Sequence, residues 1–497
     1  VYTPDDLMKV AEIVNSGYNY EGETIYICDD IDLSSYEWTP IGQQGDPFIG
    51  NIEGNYHYIT GLSSDYVKTN ESLSKYSGFI AYYKCGTESY IQNLTFDINI
   101  NAKKIGGIIG TICSSAYTPS NTALHINNCI VNGTIGCKIT NDGVMGGFIG
   151  NVNQLTDSTI VFSNCISNIF INSNRDYFID SSSWGYYGGF IGNADSNIGI
   201  LKFEKCGSNA KINTSLGGSA YTAYSGGFIG NYSGSYNESG YVYFTECASI
   251  ANIYNKSTLA RSGGYIGTLY SDNVNSTFEN SYFNGNIEVE DIDNRVSDER
   301  GSFGMCGKKS INTKFINCYV AGKLISNQSK DAFTLKLESH EVENCVTCIE
   351  TACSEIKLFS NSDMKKKSSF ANWDFNNTWV IVKNRNSNYP ILRWQMQLGD
   401  IEENGKNSPE LIIVPSYESD MSLQYDGDGY IPNNVKINFT VSSIYDSINS
   451  KYSSLDNVQL RIELPEEASF SSESSELQKI YNIGTLDDTN YMSNIFS

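Results

Sequence analysis

Apolar and polar positions alternate along most of this chain in short runs rich in Ile, Val, Phe and Tyr. Polar loops of variable length separate the runs. A period of two predicts β-strands with one face inward. One phrase punctuates the alternation. It reads Gly-Gly-Phe-Ile-Gly-Asn at Gly146–Asn151, Gly188–Asn193 and Gly226–Asn231, with looser copies at Ser77–Ala81, Gly106–Gly110 and Gly263–Gly267. A degenerate copy stands at Gly301–Gly304. Counted at Gly78, Gly107, Gly147, Gly189, Gly227, Gly264 and Gly301, the spacings are 29, 40, 42, 38, 37 and 37 residues. A period of that size means stacked units, because one such unit cannot bury its apolar side alone.

A second phrase runs in phase with the first. Roughly 15 to 20 residues after each glycine pair comes an apolar residue, two mostly polar residues, then usually cysteine. The copies end at Cys129, Cys165, Cys206, Cys247, Cys318 and Cys345, with Leu94 and Ser281 replacing cysteine in two others. Each repeat is thus expected to hold three short strands without crossover helices. The predicted fold is all-β, a right-handed parallel β-helix, ahead of a β-propeller whose hairpin signals are sparse here. In a solenoid equivalent residues stack about 4.8 Å apart, whereas a disulfide prefers Cβ atoms about 3.8 Å apart. The cysteines are therefore expected as a column of buried, reduced thiols filling small apolar spaces.

The ends differ from the middle. Thr3-Pro4-Asp5-Asp6 opens a helix, with Thr3 as N-cap and acids in the first turn. Leu7, Val10, Ala11 and Val14 share one face, and Gly17 fits a helix stop. Such a helix would cover the open end of the solenoid. The segment Leu7–Gly17, then Ile31–Leu33, Trp38–Gly42, Phe48–Gly50 and Gly54–Leu62, resembles the start of bacterial GLUG-motif surface proteins, and the GGFIGN copies resemble the GLUG motif itself. Phe370–Trp394 resembles their closing segment. The resemblance covers about residues 1 to 395 and implies a parallel β-helix on a secreted or surface-anchored, adhesin-like bacterial protein. It carries over no catalytic residue. The expected organisation is a cap over 1–62, a repeat array over 63–395 and a small Ig-like β-sandwich over 400–497. With no signal peptide before Val1 and no clear final strand or sorting signal before Ser497, the chain reads as part of a longer protein.

Charge narrows the partners. The net charge is −23, and only 18% of residues are charged, which argues against nucleic acid. No run of 18 apolar residues predicts a membrane span. No cofactor is expected; calcium is the ion that the acidic composition admits, with Asp426 and Asp428 as candidate ligands. Cys345, Cys348 and Cys353 give a weak zinc pattern without the usual second pair. His340-Glu341-x-x-Asn344 lacks the second histidine of a zinc protease. Enzymatic carbohydrate cleavage needs paired carboxylates, for which Asp29, Asp30 and Asp32 are the nearest candidates.

The chain is therefore read as a non-enzymatic, adhesin-like surface protein binding host or microbial glycans or proteins. A bare stalk and a polysaccharide-acting enzyme are the alternatives. The contact residues expected from Tyr- and Ser-rich loops are Trp184, Tyr186, Tyr187, Tyr221, Tyr224, Tyr232 and Tyr236. The structural positions expected are Gly107, Gly147, Gly189, Gly227 and Gly264, with Cys129, Cys165, Cys206, Cys247 and Cys318.

Overall fold

The structure is a computed structural model. It describes residues 1–65, 76–112, 121–136, 143–175, 183–216, 221–233, 240–270, 274–293, 300–309, 312–334, 337, 341–382 and 385–395, and beyond these the strands within 411–496. The chain divides into two compact units, Val1–Ile381 and Val382–Ser497.

The first unit is a parallel β-solenoid with one short helix. Its strands form three ladders. One runs eight strands deep from Tyr76–Ser77 through Ser183–Gly188 to Ser329–Asp331. A second runs six strands deep from Ile80–Tyr83 through Ile191–Asn197 to Ile266–Leu269. The third is a broad sheet containing the strands on either side of the cysteine phrase, such as Thr159–Ser163 and Ile166–Arg175. Ladder registers follow the sequence repeat: Gly146 pairs with Gly188, Gly188 with Gly226 and Gly226 with Gly263. A turn such as residues 143–175 holds four strand runs, not three. The glycine pair folds one run back into two, and a left-handed residue before the cysteine divides another.

That left-handed residue recurs at each turn. Asn93, Asn128, Asn164, Lys205, Glu246, Asn280, Asn317 and Asn344 have φ between 47° and 56°. Asparagine tolerates this conformation because its short amide bonds locally. Here the amides also bond one another: Asn128 Nδ2 donates to Asn93 Oδ1 at 2.8 Å, and Asn317 Nδ2 donates to Asn280 Oδ1 at 3.1 Å. Lys205 and Glu246 break the run of asparagines.

The glycines answer a different need. A Cβ on Gly107, Gly147, Gly189 or Gly227 would fall about 2 Å from the carbonyl oxygen of the equivalent glycine one turn on. Ser167, Ser208 and Ser249 donate to the carbonyls of Gly189, Gly227 and Gly264 from the facing strand. Close approach of the next turn's carbonyl, with the facing serine hydroxyl behind it, rather than positive φ, thus excludes a side chain. The degenerate copy is displaced from its expected place. Phe303 pairs with Gly263, and Gly304 rather than Gly301 presents its carbonyl to Gly264.

Two columns of rings fill the core. Phe148, Phe190, Phe228 and Tyr265 stack at 4.6–4.9 Å. Phe162, Phe203, Phe244, Phe278 and Phe315 stack at 4.8 Å. Between columns the rings meet edge to face, as in Phe190–Phe203 at 84°. The stacking distance matches the strand spacing, so ladder and core impose the same rise. Beside them runs the thiol column. Cys129, Cys165, Cys206, Cys247, Cys318 and Cys345 are buried and free. Each sulfur bonds the carbonyl of the residue two before it and a carbonyl of the preceding turn, as Cys206 does with Glu204 and Phe162.

Helix α1, Pro4–Asn15, closes the first end. Thr3 and Asp6 form a reciprocal capping box, and Leu7, Val10, Ala11 and Val14 face the core. Trp38 stacks on Phe79 at 5.5 Å and donates its indole N–H to the Gly78 carbonyl. Strand Asn51–Asp65 already pairs with Ser89–Asn101, so the solenoid begins inside the expected cap. At the other end Trp373 and Trp379 lie 4.4 Å apart, and Trp379 meets the stacked Tyr282 and Tyr319.

The second unit is antiparallel where described. Leu411–Tyr417 pairs with Ile437–Ser443, which pairs with Met492–Phe496; Leu455–Glu463 pairs with Gln478–Leu486. The expectation of no clear final strand is corrected by Met492–Phe496, whose short polar-flanked run was too weak to read alone.

Candidate functional site

The expected contact residues do not all reach solvent. Strand Ser183–Gly188 sends Trp184 and Tyr186 outward and Tyr187 inward, as the alternation of a strand requires. Tyr187 is fully buried and its hydroxyl lies 3.2 Å from Ser173 Oγ. Tyr232 is also fully buried, sharing its register with the inward Leu269 and donating to the Ile198 carbonyl at 3.4 Å. Neither can serve as a contact residue; each is a core ring. Tyr224 is outward by register but only 5% exposed, because neighbours cover it. Tyr221 begins the described strand Tyr221–Gly226, but its side chain lies outside the described residues, as do Tyr236, Asp426 and Asp428.

What remains is a compact aromatic boss on the eight-stranded ladder. Trp184 is 47% exposed and meets Tyr224 edge to face at 6.2 Å. Tyr186, on the same strand as Trp184, is the register partner of Tyr224 and lies 5.9 Å from its ring. Arg261, one turn on, places its guanidinium 5.4 Å from the centre of the Tyr224 ring. Tyr224 is thus the hub and Trp184 the exposed edge. Adjacent strand registers hold all four side chains, so the rings are fixed by backbone bonds rather than by a loop. Such a surface offers flat apolar area, hydroxyls and one cation, which together suit stacking and hydrogen bonding to a polar ligand.

Sequence reasoning missed Arg261. The signal was present: the residue two places before each first glycine is Lys104, Val144, Tyr186, Tyr224 and Arg261 in successive turns. These five stand in one register column. One strand before Lys104, Tyr76 continues the column, and the Lys104 ammonium lies 4.8 Å from its ring centre, repeating the cation–aromatic contact.

The candidate acids near the cap have structural partners. Asp30 accepts from the Tyr58 amide at 3.0 Å and lies 3.0 Å from His57 Nδ1. Asp32 accepts from the Ser34 amide, and that bond holds its carboxyl below the usual range. Cys345 bonds the Phe315 carbonyl, and Cys353 bonds Glu355. Among the described residues no three His, Cys, Asp or Glu side chains are grouped so as to hold a metal. His340 lies outside them. No described helix is long and apolar enough to cross a membrane.

No protein-family model matches the chain, and no curated protein does. Among solved structures, the chain is similar to a crystal structure described as a "putative immunoglobulin A1 protease" from Bacteroides ovatus. Identity is 15%, the TM-score is 0.42, and the match covers 80% of this chain and 92% of that one. A likeness of that degree bears on neither activity nor ligand, and the parallel solenoid rests on the strand registers themselves.

Proposed function

We propose that this chain is a non-enzymatic, adhesin-like protein of a bacterial cell surface, in which a stiff solenoid presents an aromatic face to glycans or proteins of a host or neighbouring cell. The observation that carries the reading is Trp184. It is a large apolar side chain, 47% exposed, held in place against Tyr224 in the middle of a strand ladder. Rigid aromatic groups bind at low entropic cost because little motion is left to lose. The resemblance of the repeats to GLUG-motif surface proteins agrees with this role.

The test is an array of host glycans and matrix proteins probed with the chain, reading retention and cleavage at each spot. Saturable retention is expected, with Trp184→Ala lowering affinity on the order of 30-fold, the effect of losing an interface anchor worth about 2 kcal/mol. Retention unchanged by that substitution would refute the assignment of the face. Degradation of a spot would make the protein an enzyme. No retention anywhere would leave it a stalk.

A further inference from the structure

We infer that neighbouring cysteines of the thiol column form two-coordinate sites for a soft divalent metal ion of the mercuric kind, three sites per chain. This goes beyond the surface binding role and does not rest on it.

The six sulfurs hang alike. Each lies 3.2–3.6 Å from the carbonyl of the residue two before it and from the matching carbonyl of the preceding turn. Sulfurs held in the same way on neighbouring turns differ by one strand step. That step is 4.8 Å at the phenylalanine rings three residues earlier on the same turns. Cys129, Cys165, Cys206 and Cys247 occupy four consecutive turns, and Cys318 and Cys345 occupy two more. Ser281 separates the two runs, and Leu94 and Ile356 end the column. Four thiols make two separate pairs and two thiols make one.

Spacing then selects the chemistry. A disulfide needs sulfurs about 2.05 Å apart, so a step of 4.8 Å leaves these thiols unbridged. A metal–thiolate bond is about 2.3 Å long, and two in line span about 4.6 Å. One ion midway between neighbouring sulfurs therefore meets both with almost no movement of the turns. Zinc is a poor occupant because it takes four donors. Among the described residues no three His, Cys, Asp or Glu side chains are grouped to supply them. A soft ion satisfied by two thiolates fits. Charge decides its valence. The thiols are buried beside the ring columns, where an uncompensated charge is costly. Two thiols release two protons, their thiolates cancel a divalent ion, and the site stays neutral with no change of oxidation state. A monovalent ion would leave one negative charge in the core.

The experiment uses the whole chain and mercuric chloride, added either to the folded protein or during refolding from urea. Excess free cysteine then strips weakly held metal, and elemental analysis counts the ions kept. A pair of thiols already held in place outcompetes a free thiol. The reference is a variant with serine at all six column cysteines. Serine suits the position, because Ser281 already holds it and donates to the Glu279 carbonyl two residues before. Circular dichroism and melting confirm that each variant is folded. The native chain should keep three more ions than the reference, with X-ray absorption showing two sulfurs per added ion. Cys129→Ser with Cys165→Ser removes one pair and should lose one ion. Cys165→Ser with Cys247→Ser removes as many thiols but leaves Cys129 and Cys206 isolated, and should lose two. Zinc chloride in place of mercuric chloride should give no excess. An excess of mercury other than three in both preparations, equal losses from the two double variants, or an equal excess of zinc overturns the inference.

Discussion

Gly189→Ala tests the physical basis of the repeat. The new Cβ would stand 2.0 Å from the Gly227 carbonyl oxygen, 2.6 Å from Ser208 Oγ and 3.1 Å from Ala210 Cβ. A carbon and a carbonyl oxygen do not normally approach closer than about 3.3 Å. The two turns must therefore separate locally by more than about 1 Å. Three bonds lie on that path: Ser208 Oγ to the Gly227 carbonyl, the Gly189 amide to the Gly226 carbonyl at 3.2 Å, and the Phe190 amide to the Phe228 carbonyl at 2.9 Å. Weakening them costs about 1 kcal/mol each, and overfilling a close-packed interior adds about 1–3 kcal/mol. The expected loss is about 4–6 kcal/mol. Because each turn contacts only its neighbours, the damage should be local. Hydrogen exchange is the suitable assay: the amides of Phe190, Ile191, Phe228 and Ile229 should lose protection, while those near Leu94 keep it. Gly45→Ala is the control, since nothing lies within 4 Å of its added Cβ. If Gly189→Ala keeps native protection at these four amides, the close-approach account of the glycine phrase is wrong.

Two further expectations concern the corner and the thiols. Glu246 holds a left-handed conformation at φ 51°, and burial raises its carboxyl above the ordinary value, with Glu204 and Glu279 adding to the rise. Glu246→Asn should stabilise the first unit by about 0.5–1 kcal/mol at neutral pH through the backbone preference. A raised acid penalises the fold while ionised, so the advantage of the variant in urea unfolding should shrink as pH falls toward 4.5; an advantage that grows would contradict the burial argument. Burial likewise pushes the thiols of Cys165, Cys247 and Cys318 well above their usual range. Their stabilising effect is complete below the unfolded thiol value, about 8.5, and is lost as pH climbs past it. These thiols should resist a disulfide reagent at pH 8 until urea unfolds the chain; rapid labelling without urea would show that the column is open to solvent.

The sequence by itself determined the rise and contents of the solenoid. Repeating one phrase in phase forces equivalent residues into columns, so the stacking of the glycines, of Phe162, Phe203, Phe244, Phe278 and Phe315, and of the thiols follows from the repeat alone. The capping helix was equally local, since Thr3, Pro4 and Asp6 act within one turn. Tertiary structure alone decided which tyrosines face water. Tyr186 and Tyr187 are neighbours of the same composition, and only the position of the strand relative to the core sends one out and the other in. Tyr224 points outward yet is covered, because Trp184, Tyr186 and Arg261 come from other turns. A tyrosine count in a loop cannot express that. The contacts of Arg261 with the Tyr224 ring and of Lys104 with the Tyr76 ring arise only where distant strands lie side by side, since they are a property of the column and not of any segment in it.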